Sequence, residues 1–441
     1  MNIIIAGAGT VGYSLAKGLS FKHSVTIVDK DIQKLNKIEE NLDVFTLLGD
    51  SEDPRTYMAL PTKEVDLFIA VTDSDEANLL STLIVDDAIA VKTKFIRLKN
   101  EYFAKSSIHE KLHIDAAVFP DQLLAEKVDA LFDFPKANNV KSFSQCSQKL
   151  ISVKIHYSDE RQYRLSDIES ESVVAVGIER QKDFIIPEEH TILQERDLVY
   201  LFGNPKEIQS LSQQLETRMP ATIKNVVIFG GGASARRIAL ALADKNLSIK
   251  LIEKNRDYCR AASELLQDRV TIINAPFEEH NLFETEGLKN ADMIISATQN
   301  DEKNIVKCIE AREFNIEKVV AVNNDPAYYS LMHQLGIVVV RGSKIGTHYA
   351  IIEHIGSSNI VNVRHFCGGD AVMFLRKIYP ESPLIGKTVK PADIPDTLLF
   401  QLRNEIIYTK KDFTPLEEGD TVVLFGKTED EEMLQKWIYT L

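Results

Sequence analysis

The chain of 441 residues carries 51 Lys and Arg against 65 Asp and Glu, a net charge of −14, with 44% hydrophobic residues. At roughly 150 residues per domain that is material for about three domains with separate cores, and the acidic balance disfavours nucleic acid or anionic lipid as the main partner, since both would be repelled. Cys146, Cys259, Cys308 and Cys367 lie far apart with no CxxC pair, which speaks against a disulfide framework or a structural zinc motif and fits small buried thiols in a reducing cytosol. No basic region precedes the apolar run of MNIIIAGAG and no stretch approaches the ~18 apolar residues of a membrane span, so a soluble protein without signal peptide is expected.

In chain order, the β-branched runs IIIAG (3–7), VTIVD (25–29), VFTLLG (44–49), LFIAVT (67–72), KFIRLK (94–99) and DAAVFP (115–120) alternate with helical stretches such as SLAKGLS (14–20) and ANLLSTLIVDDAIA (77–90). Strands separated by helices predict a parallel sheet with right-handed crossovers. FPKANNVKSFSQ (134–145) reads as a connection. It leads to shorter strands KLISVKIHY (149–157), SVVAVGIER (172–180), DFIIP (183–187) and DLVYLFG (197–203), then an amphipathic helix KEIQSLSQQL (206–215), together a small α+β unit.

The chain then repeats itself. IIIAGAGTVG (3–12) returns as VVIFGGGASA (226–235), with Gly230 standing against Gly7. VTIVDKD returns as IKLIEKN, placing Glu253 against Asp29; LFIAVTDSDEANLL returns as MIISATQNDEKNIV, placing Thr298 against Thr72 and Asn304 against Asn78; RDLVYLFGN returns as GDTVVLFGK. Landmarks that keep step in this way over a whole half indicate tandem duplication. The expected fold is α/β: two Rossmann-like, doubly wound parallel-sheet domains at 1–135 and 223–345, each followed by a small α+β domain at 143–218 and 366–441, with a second connecting stretch around 343–366.

GAGTVG supplies Gly7, Gly9 and Gly12 of a G-x-G-x-x-G loop, with Ala8, Thr10 and Val11 between them. A strand ends at the loop, a helix follows, and Asp29 comes after it at the end of the next strand, near the spacing of a dinucleotide fingerprint. Gly7 permits the turn, Gly9 lets backbone N–H groups approach a phosphate, and Gly12 lets helix and strand pack closely. Asp29 can accept hydrogen bonds from a ribose diol and would repel a 2′-phosphate, favouring NAD or adenine nucleotides over NADP. The competing reading is a strand–turn–helix kept for packing alone.

Taken with the Gly49–Asp50 pair, VTDSDEAN and FIR ending at Arg97, this set resembles the amino-terminal domain of RCK (KTN) modules, which regulate potassium channels and transporters. The duplicated arrangement is similar to the cytosolic regulatory subunits of bacterial Trk-type potassium uptake, and the match covers essentially the whole chain. The resemblance implies that Asp29 holds the adenosine ribose, Asp50 meets the adenine edge, Thr72 and Asp73 close over the nucleotide and Arg97 meets its phosphates. It implies NAD(H), or ATP/ADP, as ligand; a membrane-embedded potassium-translocating partner; a homotetramer at the inner face of the cell membrane; and no nucleic acid. The residues allow other roles too. Asp73 with Glu76 fits an acidic capping box, Thr72 and Asp73 sit where a helix N-terminus offers N–H groups to an anion, and Arg97 could pair phosphate oxygens or form a surface salt bridge.

The second copy departs from the pattern. Gly230 and Gly232 remain, Ala235 replaces Gly12 and Glu253 replaces Asp29, but Asn274–Ala275 stands where Gly49–Asp50 was and Val322 where Arg97 was. Arg236 and Arg237 could supply charge or be exposed helix residues. A weaker or differently selective second site is expected. HEKLH (109–113) matches a zinc-protease pattern without a third ligand, the helix being expected to end at His113. The Gly386–Thr388 and Gly426–Thr428 triplets lack the upstream glycine of a P-loop. His354 and His365 have no neighbouring ligands. The small domains carry no His–Asp or Tyr–Lys constellation, so a nonenzymatic nucleotide-gated switch is expected, the alternative being an NAD-dependent oxidoreductase.

Overall fold

The computed structural model describes all residues except Lys63, Glu101, Ala104, Lys105, 157–162, His280, 356–359 and 391–393. They form two compact units, one of Met1–Leu123 with Gly342–Ile355, the other of Leu124–Arg341 with Gly356–Leu441.

In the first unit, β1 (Asn2–Ala6), β2 (Ser24–Asp29), β3 (Phe45–Leu48), β4 (Glu64–Ala70), β5 (Ala90–Arg97) and β6 (Ala116–Val118) form one parallel sheet in the order β3-β2-β1-β4-β5-β6. Strands covered on both faces must be apolar at successive positions, which is why β1 reads Ile-Ile-Ile-Ala with all four side chains buried. The Thr10–Leu19 helix buries Val11, Leu15 and Leu19. Packed against that helix lies a helix from far along the chain, Ser343–His354, with Thr347, Ala350 and Ile351 buried. The approach at Gly18 is not tight: a Cβ there would make an ordinary 3.7 Å contact with the His348 ring.

In the second unit, β7 (Ala137–Ser142), β8 (Lys149–Lys154), β9 (Val173–Arg180), β10 (Asp183–Ile185) and β11 (Leu198–Gly203) make an antiparallel sheet ordered β10-β9-β11-β8-β7. The parallel sheet returns as β12 (Asn225–Phe229), β13 (Ser248–Glu253), β14 (Thr271–Asn274), β15 (Met293–Ser296), β16 (Lys318–Asn323) and β17 (Val338–Arg341), ordered β14-β13-β12-β15-β16-β17. The second small sheet, β18 (Asn362–Phe366), β19 (Ala371–Lys377), β20 (Leu398–Arg403), β21 (Ile406–Tyr408) and β22 (Thr421–Lys427), is ordered β18-β19-β22-β20-β21, the same path as the first. Duplication therefore extends to strand connectivity.

Both stretches read as connections contain regular elements. β7 lies within 134–145, and 343–366 contains the Ser343–His354 helix and β18, with 356–359 outside the described residues. Leu124, Ala125, Val128 and Leu131 of the Pro120–Asp133 helix enter the core of the second parallel sheet. The two small sheets bury an aromatic face against each other. Phe202 meets Phe425 at 5.4 Å between ring centres and Tyr200 meets Phe366 at 5.0 Å, in edge-on geometry. Of the four thiols, Cys308 and Cys367 are buried, whereas Cys146 and Cys259 are partly exposed, contrary to the expectation of four buried thiols.

Phe425, fully buried at this junction, tests the shared core. Phe425→Ala should cost about 3–5 kcal/mol, read from urea unfolding followed by fluorescence of Trp437, the chain's single tryptophan. A loss below about 1 kcal/mol contradicts the packing described.

Candidate nucleotide-binding cleft

In doubly wound sheets ligands bind beyond the carboxyl ends of the strands, where strand order reverses. Here that point lies between β1 and β4, and a cleft of about 1050 Å³ opens there. Gly7, Ala8, Gly9, Thr10, Val11, Asp29, Asp50, Thr72, Asp73 and Arg97 line it.

The loop is held by covalent shape and two hydrogen bonds. Gly7 has φ 112°, where side chains are strained, and a Cβ on it would lie 3.0 Å from the Thr72 nitrogen. Gly12 sits beneath the cleft rather than in it, because a Cβ there would come within 1.8 Å of the Gly7 carbonyl oxygen. At Gly9 a Cβ would meet nothing within 4 Å. Its α-carbon faces open cleft. Asp29 Oδ2 accepts from the Ala8 N–H at 2.7 Å and Oδ1 from the Asp31 N–H at 2.9 Å, so the carboxylate fastens the loop to the end of β2 and keeps lone pairs for a further donor. Asp50 stands exposed on the rim, with Oδ1 accepting from Glu52 N–H at 3.0 Å.

The opposite wall is built on Asn78, fully buried. Its Oδ1 accepts from Thr72 N (2.8 Å) and Thr72 Oγ1 (2.7 Å), and its Nδ2 donates to the carbonyls of Thr72 (3.1 Å) and Arg97 (2.9 Å). One side chain thus ties the loop after β4 to the end of β5. The Thr72 N–H is consumed by this bond, contrary to the expectation that it is free for an anion. The helix cap also differs from that reading: the cap is Ser74, whose Oγ accepts from Ala77 N at 3.1 Å, and the helix runs Asp75–Ala88. Asp75, buried, accepts from Lys99 N (2.8 Å) and Asn100 N (2.7 Å) instead.

Arg97 is buried, and the salt bridge it makes is to the exposed Asp73. Its Nη1 lies 3.4 Å from Asp73 Oδ1 and its Nε has no hydrogen-bond partner among the described residues. Arg97 lines the cleft and its guanidinium keeps donors that this one ion pair does not use. Burial opposes ionisation of Asp73, but Lys99, Arg97 and Lys344 outweigh it and hold that carboxyl below the usual range. Lys344, from the Ser343–His354 helix, and Lys30, Lys34 and Lys37 around β2 also line the cleft and escaped the sequence reading. Lys34 and Lys37 share a helix face at i,i+3 spacing and could have been suspected. Lys344 could not, coming from beyond the second parallel sheet in the chain.

The second copy keeps the frame and alters the chemistry. Asn304 repeats the Asn78 bonds, to Thr298 N (3.0 Å), Thr298 Oγ1 (2.7 Å) and the carbonyls of Thr298 (3.1 Å) and Val322 (2.8 Å). Glu253, however, is buried, with Oε2 accepting from Gly231 N at 2.6 Å and Oε1 from Asn255 N at 2.7 Å. A Cβ on Gly231 would lie 2.5 Å from Glu253 Cγ, so the extra methylene occupies the place of the Ala8 methyl in the first copy. Gly230 and Gly232 repeat the turn and the open position. Arg236 donates to the Gly231 carbonyl at 2.7 Å and Asn274 donates to the carbonyls of Glu253 (2.9 Å) and Lys254 (3.0 Å), both turned toward the protein.

The other motifs have local explanations. The Ile108–Lys111 helix stops before His113, which has φ 52°. His354 Nδ1 lies 2.7 Å from the Ala350 carbonyl, and His365 Nε2 pairs with Glu431 at 2.9 Å.

A doubled Rossmann-like domain with a phosphate-type cleft, each copy followed by a small antiparallel domain, defines an RCK regulatory protein. The TrkA-N domain model matches residues 3–120 and 226–341, and the TrkA-C domain model 162–216 and 373–439. The chain belongs to the TrkA family, regulatory rather than enzymatic proteins of potassium uptake. It is 27% identical over 439 residues to the Trk system potassium uptake protein TrkA of Halomonas elongata, covering 96% of this chain and 95% of that one. It is 26% identical to a TrkA homolog of Archaeoglobus fulgidus, covering 99% of each. Among solved structures, the GsuK RCK domain superposes with a TM-score of 0.59 at 18% identity over 100% of this chain and 95% of that one. The GsuK channel bound to NAD gives 0.58 at 17% identity, covering 100% of this chain and 79% of that one. GsuK bound to ADP gives 0.51 at 14% identity over 80% and 69%.

Asn78→Ala would strand the buried Arg97 carbonyl and the Thr72 N–H. It should cost about 3 kcal/mol, at about 1–3 kcal/mol per orphaned group, measured by chemical denaturation; a loss under about 1 kcal/mol contradicts the bridging role.

Proposed function

We propose that the first-half cleft binds NAD(H), or ATP/ADP, as a regulatory ligand, and that occupancy gates a membrane-embedded Trk-type potassium-translocating subunit from the cytoplasmic face. The observation that carries this reading is the cleft of about 1050 Å³ lined by the glycine loop, Asp29, Asp50 and the buried Arg97, with the position of Gly9 open. An adenosine would lie toward Asp29 and Asp50, and its phosphates toward the loop N–H groups, Arg97 and Lys344. The ligand supplies charge and shape and no reaction is required. RCK structures solved with NAD and with ADP favour the same ligand class. Among the described residues no helix is long and apolar enough to cross a membrane, so translocation falls to another subunit in this reading.

The second cleft is proposed to bind nucleotide more weakly or not at all. Glu253 spends both oxygens on backbone, Ala275 and Val322 offer no charge, and Arg236 is turned inward.

Self-association is supported by a repeated surface feature. Leu80 and Leu83 on the Asp75–Ala88 helix are exposed, and so are Val306 and Ile309 at the matching positions of the Asp301–Glu313 helix. We infer a homotetramer built through these faces. Shifting a two-state gate from mostly shut to mostly open takes about 5.5 kcal/mol of differential binding, which four sites reach at ~1.4 kcal/mol, a tenfold preference, apiece.

Two outcomes check the proposal. Gly9→Ala puts a methyl into the cleft without touching protein, so NADH or ATP affinity should fall at least tenfold by calorimetry with the melting temperature kept, while Gly232→Ala changes nothing; equal losses from both contradict the asymmetry. The pair Leu83→Asp and Ile309→Asp should shift the mass distribution in mass photometry from tetramers to smaller species, and an unchanged distribution contradicts assembly through these helices.

A further inference from the structure

In the second unit, three side chains from three domains converge. Glu179 extends from β9 of the first small sheet, His333 from the Tyr329–Gln334 helix of the second parallel domain, and Cys367 from the turn joining β18 to β19. Glu179 Oε2 lies 2.5 Å from His333 Nε2 and 3.4 Å from Cys367 Sγ, and all three donor atoms lie within 4.8 Å of one another. We propose that Glu179, His333 and Cys367 form a binding site for a borderline-soft divalent cation, zinc(II), that pins these three domains together.

The donor set selects the ion. Imidazole nitrogen with thiolate sulfur favours zinc over magnesium or calcium, which take oxygen donors. Donors at about 2.0–2.3 Å from a tetrahedral zinc stand about 3.5 Å apart. The Glu179–Cys367 separation already matches that figure, and the Glu179–His333 pair needs to open by about 1 Å; the hydrogen bonds of Glu179 to His333 and Cys367 give way to three metal bonds, and the thiol proton leaves to solvent. Three protein donors leave the fourth position for water or a further oxygen. Tyr200 and a small void complete the surroundings. The Tyr200 hydroxyl is buried beside the Cys367 thiol, where it adds a fourth polar atom to the cluster. A void of about 40 Å³ touches Tyr200, His333 and Cys367, more than one water needs.

The backbone at the turn is also shaped for the thiol. Cys367 has φ 50° and is followed by Gly368 at 65° and Gly369 at 113°, three consecutive residues in the left-handed range. A Cβ on Gly368 would stand 3.0 Å from His333 Cδ2, so the turn is pressed against that ring. Asn or Gly would suit the left-handed conformation better than Cys. Such a site escapes motif searching, because Glu179 lies 154 residues from His333 and 188 from Cys367.

The test uses the untagged full chain, stripped with a chelator, then titrated with zinc chloride against a chromophoric competitor and separately with cobalt chloride. One zinc per chain at micromolar or lower concentration is expected, with a sulfur-to-cobalt charge-transfer band. Cys367→Ser should abolish the band and weaken zinc binding at least tenfold; His333→Gln should weaken binding comparably while keeping a cobalt–thiolate band at high metal; Cys259→Ser should change neither. A wild-type chain without the band, or zinc affinity unchanged in both Cys367→Ser and His333→Gln, overturns the site and leaves the cluster a hydrogen-bonded contact. Should Cys367→Ser fail to fold, the wild-type cobalt spectrum and the His333→Gln titration decide alone.

Discussion

A carboxylate at the carboxyl end of the second strand, holding the glycine loop by one backbone N–H, sets what each half of this chain can do. In the first half it is Asp29, bonded to Ala8 N at 2.7 Å, and in the second Glu253, bonded to Gly231 N at 2.6 Å. The bond is the same and the consequence differs by one methylene. Asp29 is short, partly exposed and able to serve a ligand diol as well as the loop. Glu253 folds under the loop, takes the volume vacated by the missing Ala8 methyl and is buried. One copy leaves its acid partly open to the cleft and the other buries it as a structural brace.

The opposite wall shows the same economy. Asn78 and Asn304 hold equivalent turns with equivalent bonds, so the frame of both clefts survives duplication. What changes is the residue whose carbonyl each asparagine grips: Arg97 in one, Val322 in the other. Frame and charge have therefore separated. The first cleft receives a further cation, Lys344, from a helix that follows β17 directly in the chain.

Much of this was legible in the sequence. The runs at 3–7, 25–29, 44–49, 67–72, 94–99 and 115–120 all contain strands; the central ones, such as β1, are covered on both faces and so apolar at successive positions, whereas the edge strand β3 leaves Phe45 and Leu48 exposed. The internal repeat then carried the reading to the second half. β7 was not legible, since Asn138, Asn139 and Lys141 give an edge strand the look of a linker. Ser74 was overlooked as the cap because Asp73 and Glu76 mimic the same pattern one residue earlier. Lys344 and the Glu179–His333–Cys367 cluster depend on contacts between segments remote from each other in the chain, which no local periodicity encodes.

A switch of this kind needs a ligand that binds tightly enough to matter and at a number of sites fixed by the chain. Equilibrium dialysis of the full-length protein with NADH, and with ATP, measures that number. The account predicts a stoichiometry of one nucleotide per chain at saturating submillimolar ligand, without consumption of the ligand. Two equivalent nucleotides per chain, none at all, or turnover of the bound nucleotide would contradict it.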